Sequence, residues 1–190
     1  MSDDPILVTN TGDWRPNPGE RPGVVLPGSF NPVHDGHWGL ARAAADLLGR
    51  EVAFELSRVN VDKPPLDDAE VQRRLIPFRG RAEVWITHAA RITEKAALFP
   101  GATFVVGADT ALRILDLRYY DDDPERLRAA LDRLAELDVQ LLVAARRMGD
   151  AVRTVADLAI PTEHRDRFVE MPGFRLDISS TEIRQTTKNS

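Results

Sequence analysis

The stretch that most constrains this chain runs from Val24 to Leu48. Val24-Val25-Leu26 is a short apolar run of the kind a buried strand takes. Leu40, Ala43, Ala44, Leu47 and Leu48 then recur at i, i+3, i+4, i+7 and i+8, the stripe of an amphipathic helix. The thirteen residues Gly28 to Leu40, GSFNPVHDGHWGL, therefore hold a strand-to-helix turn. Gly28 and Gly36 let a ligand approach the backbone closely. Asp35 reads as the N-cap, leaving the helix's first N–H groups facing the loop. Partial positive charge gathers at such an end, and anions bind there. His34 and His37 stand in the same turn.

The same alternation continues along the chain. Apolar strands are expected at Val52–Leu56, Ala82–Thr87, Thr103–Val106, Val139–Ala145 and Phe168–Met171. Asp67 and Glu70 form an acidic cap before Val71, Leu75 and Phe78, with Pro77 ending or kinking that helix. A short helix over Thr93–Phe99 stops at Pro100-Gly101, and Ala111, Leu112 and Leu115 suit another. Asp121-Asp122-Asp123 reads as a solvated loop and N-cap before Pro124, rather than a metal cluster. Leu127, Ala130, Leu131 and Leu134 continue that helix. Strands alternating with helices predict an α/β fold with a doubly wound parallel sheet. One unit is expected over residues 22–190. It follows an arm, residues 1–21, in which Ile6-Leu7-Val8 reads as a short edge strand.

Charge and composition narrow the function. Lys and Arg number 25 against 30 Asp and Glu, a net charge of −5. An acidic chain without a basic run is a poor nucleic-acid surface. No apolar stretch is long enough to span a bilayer, and Asp3 and Asp4 sit where a signal peptide carries basic residues, so no membrane partner is expected. The absence of cysteine excludes disulfides and thiolate metal sites and fits a cytoplasmic protein. A homo-oligomer is left open. An anionic ligand must be held by a few local cations and helix ends.

Residues 29–37, SFNPVHDGH, resemble the (T/S)-F-(D/N)-P-x-H-x-G-H signature of the HxGH nucleotidyltransferase superfamily, the cytidylyltransferase-like enzymes. Within it they are most similar to the nicotinate and nicotinamide mononucleotide adenylyltransferases. Residues 177–184, DISSTEIR, resemble the I-S-S-T-x-I-R signature of the same enzymes. By their own spacing Ser179 and Glu182 also make a capping box. Gly107-Ala108-Asp109 is similar to the Gly-x-Asp after the corresponding family strand, although Asp109 also suits a helix cap. The resemblance spans Val24 to Arg184 and implies a Rossmann-like sheet with the HxGH loop at its switch point.

It further implies transfer of a nucleoside monophosphate to a phosphorylated small molecule, such as a pyridine mononucleotide, with release of pyrophosphate. ISSTEIR favours ATP as donor. A cytidylyltransferase using CTP and a non-catalytic nucleotide-binding module are the alternatives. On this reading His34 and His37 donate to phosphate oxygens, protonated by neighbouring anions, and Arg184 grips the triphosphate with Ser179, Ser180 and Thr181. Gly28, Ser29, Phe30, Asn31 and Gly36 form the nucleotide loop, and Gly107 and Asp109 face the nucleoside. Mg2+ arrives with the triphosphate, and no carboxylate identifies itself as its ligand. Asn60 and Lys63 lie in a proline-rich loop just past a strand's C-terminal end, where open α/β sheets bind ligands. They are expected on the acceptor side, where the family carries Pro-Pro-His-Lys. The family's aromatic-containing acceptor motif is absent between Ala89 and Leu98. Arg146-Arg147 end a strand, and one of them can face a phosphate.

Overall fold

A computed structural model describes residues 4–61 and 64–176. The parallel strands are β3 (Val24–Pro27), β4 (Ala53–Ser57), β5 (Val84–Thr87), β6 (Thr103–Gly107), β7 (Gln140–Met148) and β9 (Phe168–Leu176). They lie in the order β5-β4-β3-β6-β7-β9 within a nine-stranded sheet. Antiparallel strands extend the sheet beyond β5, where β1 (Ile6–Val8) pairs with β5 and β2 (Trp14–Pro16) covers β1, and β8 (Ala151–Arg153) folds back on the C-terminal end of β7. Ile6–Val8 is thus a strand, but one place in from the edge. The chain leaves β3 toward β4 and β5, then returns to the other side of β3 to lay down β6. That reversal is a topological switch point, beside which doubly wound sheets bind their ligands.

Helices cover both faces. Val24 and Leu26 of β3 point to the layer of α1 (Asp35–Leu48) and α2 (Asp68–Leu75), whereas Val25 points to that of α3 (Ile92–Leu98), α4 (Ala108–Ile114) and α5 (Pro124–Glu136). β6 divides likewise, Val105 to one layer and Phe104 and Val106 to the other. Residues buried on both faces explain why these strands read as unbroken apolar runs rather than alternating ones. Phe99 and Phe104 are wholly buried, each contributing roughly 1.5–3 kcal/mol by burial.

Local signals set the boundaries. Asp67 caps α2, its carboxylate accepting from the Glu70 N–H at 2.7 Å. Pro77 lies in the 3-10 turn that follows α2. Asp123 caps α5 with Pro124 in its first turn. No helix among the described residues is long and apolar enough to cross a membrane.

Candidate active site at the switch point

The loop between β3 and α1 is built around a buried aromatic ring. Phe30 takes φ 44°, in the left-handed region, and is 1% exposed. Its ring meets His37, Phe78 and Phe54 edge-on, with centroids 5.1, 5.2 and 5.6 Å away. A Cβ on Gly28 would stand 2.5 Å from that ring. Gly28 therefore makes room for Phe30, a steric duty different from admitting a ligand. Two arginines of α2 hold the loop from outside. Arg74 donates to the Ser29 carbonyl at 2.7 Å, and Arg73 to Asn31 Oδ1 at 2.5 Å. Glu70 ties both together, and the Arg73 hydrogen bond foremost holds its carboxyl at about 2.

His34, not Asp35, is the N-cap of α1, and Asp35 is its first helical residue. The reason lies in His37, whose Nδ1 accepts the His34 main-chain N–H at 3.2 Å and closes the first turn on itself. The two imidazoles sit face to tilted face, centroids 3.8 Å apart. Burial pushes the His37 pKa down to about 3, with the charges of His34 and Arg146 acting in the same direction. His37, expected to be protonated beside bound phosphates, is thus neutral in the ligand-free protein, first because burial disfavours its charged form and then because Arg146 and His34 act in the same direction. With Nδ1 accepting, Nε2 carries the proton and remains a donor.

Arg146 reaches this point from the C-terminal half of β7. Its Nε stands 3.3 Å from Asp109 Oδ1, and its side chain is 16% exposed. Asp109 does not cap α4; Gly107 holds the cap position. The carboxylate instead lies between Arg146 and, at 3.8 Å, Arg113. The strand ends β3, β6 and β7 thereby bring His37, Asp109 and Arg146 into one electrostatic group.

Beside the loop opens a cavity of about 240 Å³. Pro27, Gly28 and Ser29 form one side, Ser57 and Asn60 another. Arg91, Lys95, Arg113, Tyr119 and Tyr120 close it from α3, α4 and the turn after α4. Among the described residues three cations and no acid line it, in a chain of net charge −5. Tyr120 donates to the Ile114 carbonyl at 2.8 Å, and burial raises its phenol's pKa.

Residues 25–186 match the family model described as cytidylyltransferase-like. The chain belongs to the cytidylyltransferase-like family. A probable nicotinate-nucleotide adenylyltransferase of Gloeobacter violaceus is 30% identical over 185 residues, which cover 88% of this chain and 84% of that one. A putative nicotinamide mononucleotide adenylyltransferase of Schizosaccharomyces pombe is 29% identical over 116 residues, 54% of this chain. The match spans about half, 46%, of that relative's length. Among solved structures, Plasmodium falciparum nicotinic acid mononucleotide adenylyltransferase complexed with NaAD superposes with a TM-score of 0.51 at 14% identity, covering 87% of this chain and 83% of that one. That likeness supports the Rossmann-like sheet expected from the sequence.

Of the site residues expected from the sequence, Asn31 is held by Arg73 of α2, and the others fall in three groups. His34, His37, Gly36 and Asp109 gather at the switch point, with Gly107 at the end of β6. Gly28, Ser29 and Asn60 line the cavity, while Phe30 buries its ring and leaves only its backbone for a nucleotide. Lys63, Ser179, Ser180, Thr181 and Arg184 lie outside the described residues. Residues 177–184 follow directly on Leu176, whose backbone pairs with Arg146 in the sheet. Sequence reasoning missed Arg91, Lys95, Arg113, Tyr119 and Tyr120. No spacing links them, and only the packing of α3 and α4 on one face assembles them.

Proposed function

We propose that this chain transfers the adenylyl group of ATP to the phosphate of a pyridine mononucleotide and releases pyrophosphate. One observation carries the reading: the His34–His37 turn, Asp109 and Arg146 converge at the switch point beside a cavity lined by cations and tyrosines. The relatives' names agree with it. A mononucleotide phosphate has its second pKa near 6 and is mostly dianionic at pH 7. Its oxygen attacks the α-phosphorus directly, one P–O bond forms, the bond to the β-phosphate breaks, and pyrophosphate leaves with the electron pair. No general base or covalent residue is required, so positioning and charge stabilisation do the catalysis.

In this scheme neutral His37 donates through Nε2–H to phosphate oxygens, and His34 donates beside it. Arg146 supplies a fixed cation, held by Asp109. Arg184, Ser179, Ser180 and Thr181 take the β- and γ-phosphates. Mg2+ brought with ATP would be held by phosphates and water and would supply charge neutralisation there. Asp109, the carboxylate at the switch point, is engaged by Arg146, which suits an ion held by the nucleotide's own phosphates. Asn60 and Lys63 are assigned to binding the acceptor. The cysteine-free composition suits the cytoplasm.

A pyrophosphate-release assay tests this, with ATP or CTP as donor and a panel of phosphorylated acceptors. Turnover with ATP and a pyridine mononucleotide is expected. Turnover with CTP alone would make the protein a cytidylyltransferase, and nucleotide binding without any turnover would make it a binding module.

A further inference from the structure

Among the described residues Glu55 is the only buried carboxylate and Lys95 the only buried ammonium. They face each other across the β4–α3 interface. Lys95 Nζ donates to Glu55 Oε2 at 2.6 Å and to Oε1 at 2.8 Å. The Thr87 hydroxyl donates to Oε1 at 2.5 Å and accepts from the Ala89 N–H at 3.3 Å. Stability alone does not account for such a pair, since packed apolar residues of equal volume serve as well or better.

Its orientation suggests a use. The carboxylate is fully sealed, at 0% exposure, whereas Lys95 forms part of the cavity wall. Of the two, only Lys95 lines the cavity, where Arg91 and Arg113 also stand, so the cavity meets the cationic member of the pair. An ammonium has three donors, and two are spent on Glu55. A carboxylate placed there accepts the third N–H as a charge-assisted hydrogen bond, strengthened by the low local dielectric. A carboxamide offers a weaker, uncharged acceptor, and its NH2 gains nothing from Arg91, Lys95 and Arg113, which are donors only.

We propose that Lys95, fixed by Glu55 and Thr87, is the acceptor-binding residue that selects a ring carboxylate over a ring carboxamide. This assignment rests on the reading of the site as an adenylyltransferase. The test compares nicotinate and nicotinamide mononucleotides, by turnover with ATP and by calorimetric binding of each mononucleotide alone. Wild type should prefer the acid. Lys95→Met alone would strand a buried carboxylate, so the informative variant is Glu55→Gln with Lys95→Met, which removes both charges at similar volume. Its acid-to-amide ratio should fall by roughly tenfold, through acceptor KM, with ATP KM unchanged.

A folded double variant with the wild-type ratio overturns the proposal. So does a wild type that prefers the amide, a result that needs no variant. A wild type that binds the acid tightly but releases no pyrophosphate defeats the adenylyl-transfer reading, while the binding ratio still decides the role of Lys95. Failure to bind either mononucleotide overturns both.

Discussion

The main-chain N–H of His34 meets Nδ1 of His37 at 3.2 Å, and this contact fixes which ring nitrogen of His37 faces outward chemistry. Nδ1 is consumed in closing the first turn of α1, so Nε2–H is the donor left for a ligand. A neutral imidazole donor is useful where charge builds on a leaving pyrophosphate, because it needs no proton uptake beforehand. His37→Ala should cut turnover by roughly 10²–10³, with a smaller effect on ATP affinity. Steady-state kinetics with equilibrium binding measure the split, and near-normal turnover would remove His37 from the mechanism.

The same residue makes stability depend on pH. Burial first, then the charges of His34 and Arg146, lowers its pKa from 6.5 to about 3. Between those values the unfolded chain binds a proton that the folded chain refuses, so this contribution to stability is full above pH 6.5 and is lost as pH falls toward 3. Urea unfolding at pH 7.5 and pH 5 should show wild type losing more stability than His37→Gln. Equal losses would mean that His37 is not held neutral.

Arg146 couples Asp109 to the histidines, standing 3.3 Å from the Asp109 carboxylate and bearing on the His37 pKa. Arg146→Gln should raise that pKa, since a cation that disfavours His37 protonation is gone. Turnover should drop by roughly 10² if the guanidinium stabilises developing phosphate charge. NMR titration of His37 and kinetics on the one variant test both effects, and a lower turnover with an unmoved pKa would separate Arg146 from the histidine turn.

Much of this arrangement was legible in the chain, for definable reasons. β3 and α1 announce themselves through Val24–Leu26 and the Leu40–Leu48 stripe because β3 is buried on both faces and α1 buries Leu40 and Ala44 at helical spacing, although Leu47 of that stripe is exposed. β2 and β8 carry no such signal, being three residues long and exposed at every position. β9 is longer than Phe168–Met171 because the strand resumes after an interruption. Met171 pairs with Ala144, then Arg175 with Ala145, and Pro172-Gly173-Phe174 bulge out between them. Pro-Gly reads as a stop, yet Gly173 at φ 69° lets the strand return to register. The bulge lays Phe174 against α1, where a Cβ on Gly39 would be 3.5 Å from its ring. The histidines were visible as a local motif, whereas Lys95 and the tyrosines come from segments that only tertiary packing unites.

Gly28 offers a test of the loop that does not depend on catalysis. An added methyl would sit 2.5 Å from Phe30 Cε1 and 2.6 Å from Cζ, in a ring cluster with little room to yield. Gly28→Ala should cost about 1–3 kcal/mol by overpacking. Shrinking the ring in Gly28→Ala with Phe30→Leu should cost less than the sum of the two single changes, a coupling that thermal or urea unfolding measures. Strict additivity would mean that the loop relaxes independently of Phe30.

The C-terminal signature is tested through its arginine. Ser179 and Glu182 have capping-box spacing, which puts Arg184 in the first turns of the expected helix. A cation near a helix N-terminus is electrostatically unfavourable, so Arg184 makes sense there if an anion offsets it. Arg184→Ala should weaken ATP binding while leaving the ligand-free melting temperature unchanged or slightly higher. Ser179→Ala should instead cost about 1 kcal/mol as a lost cap, with or without nucleotide. Thermal melts of wild type and both variants, each with and without ATP and magnesium, distinguish the two roles. An ATP-induced shift in Arg184→Ala equal to that of wild type would remove the triphosphate from this segment and leave it a capped helix.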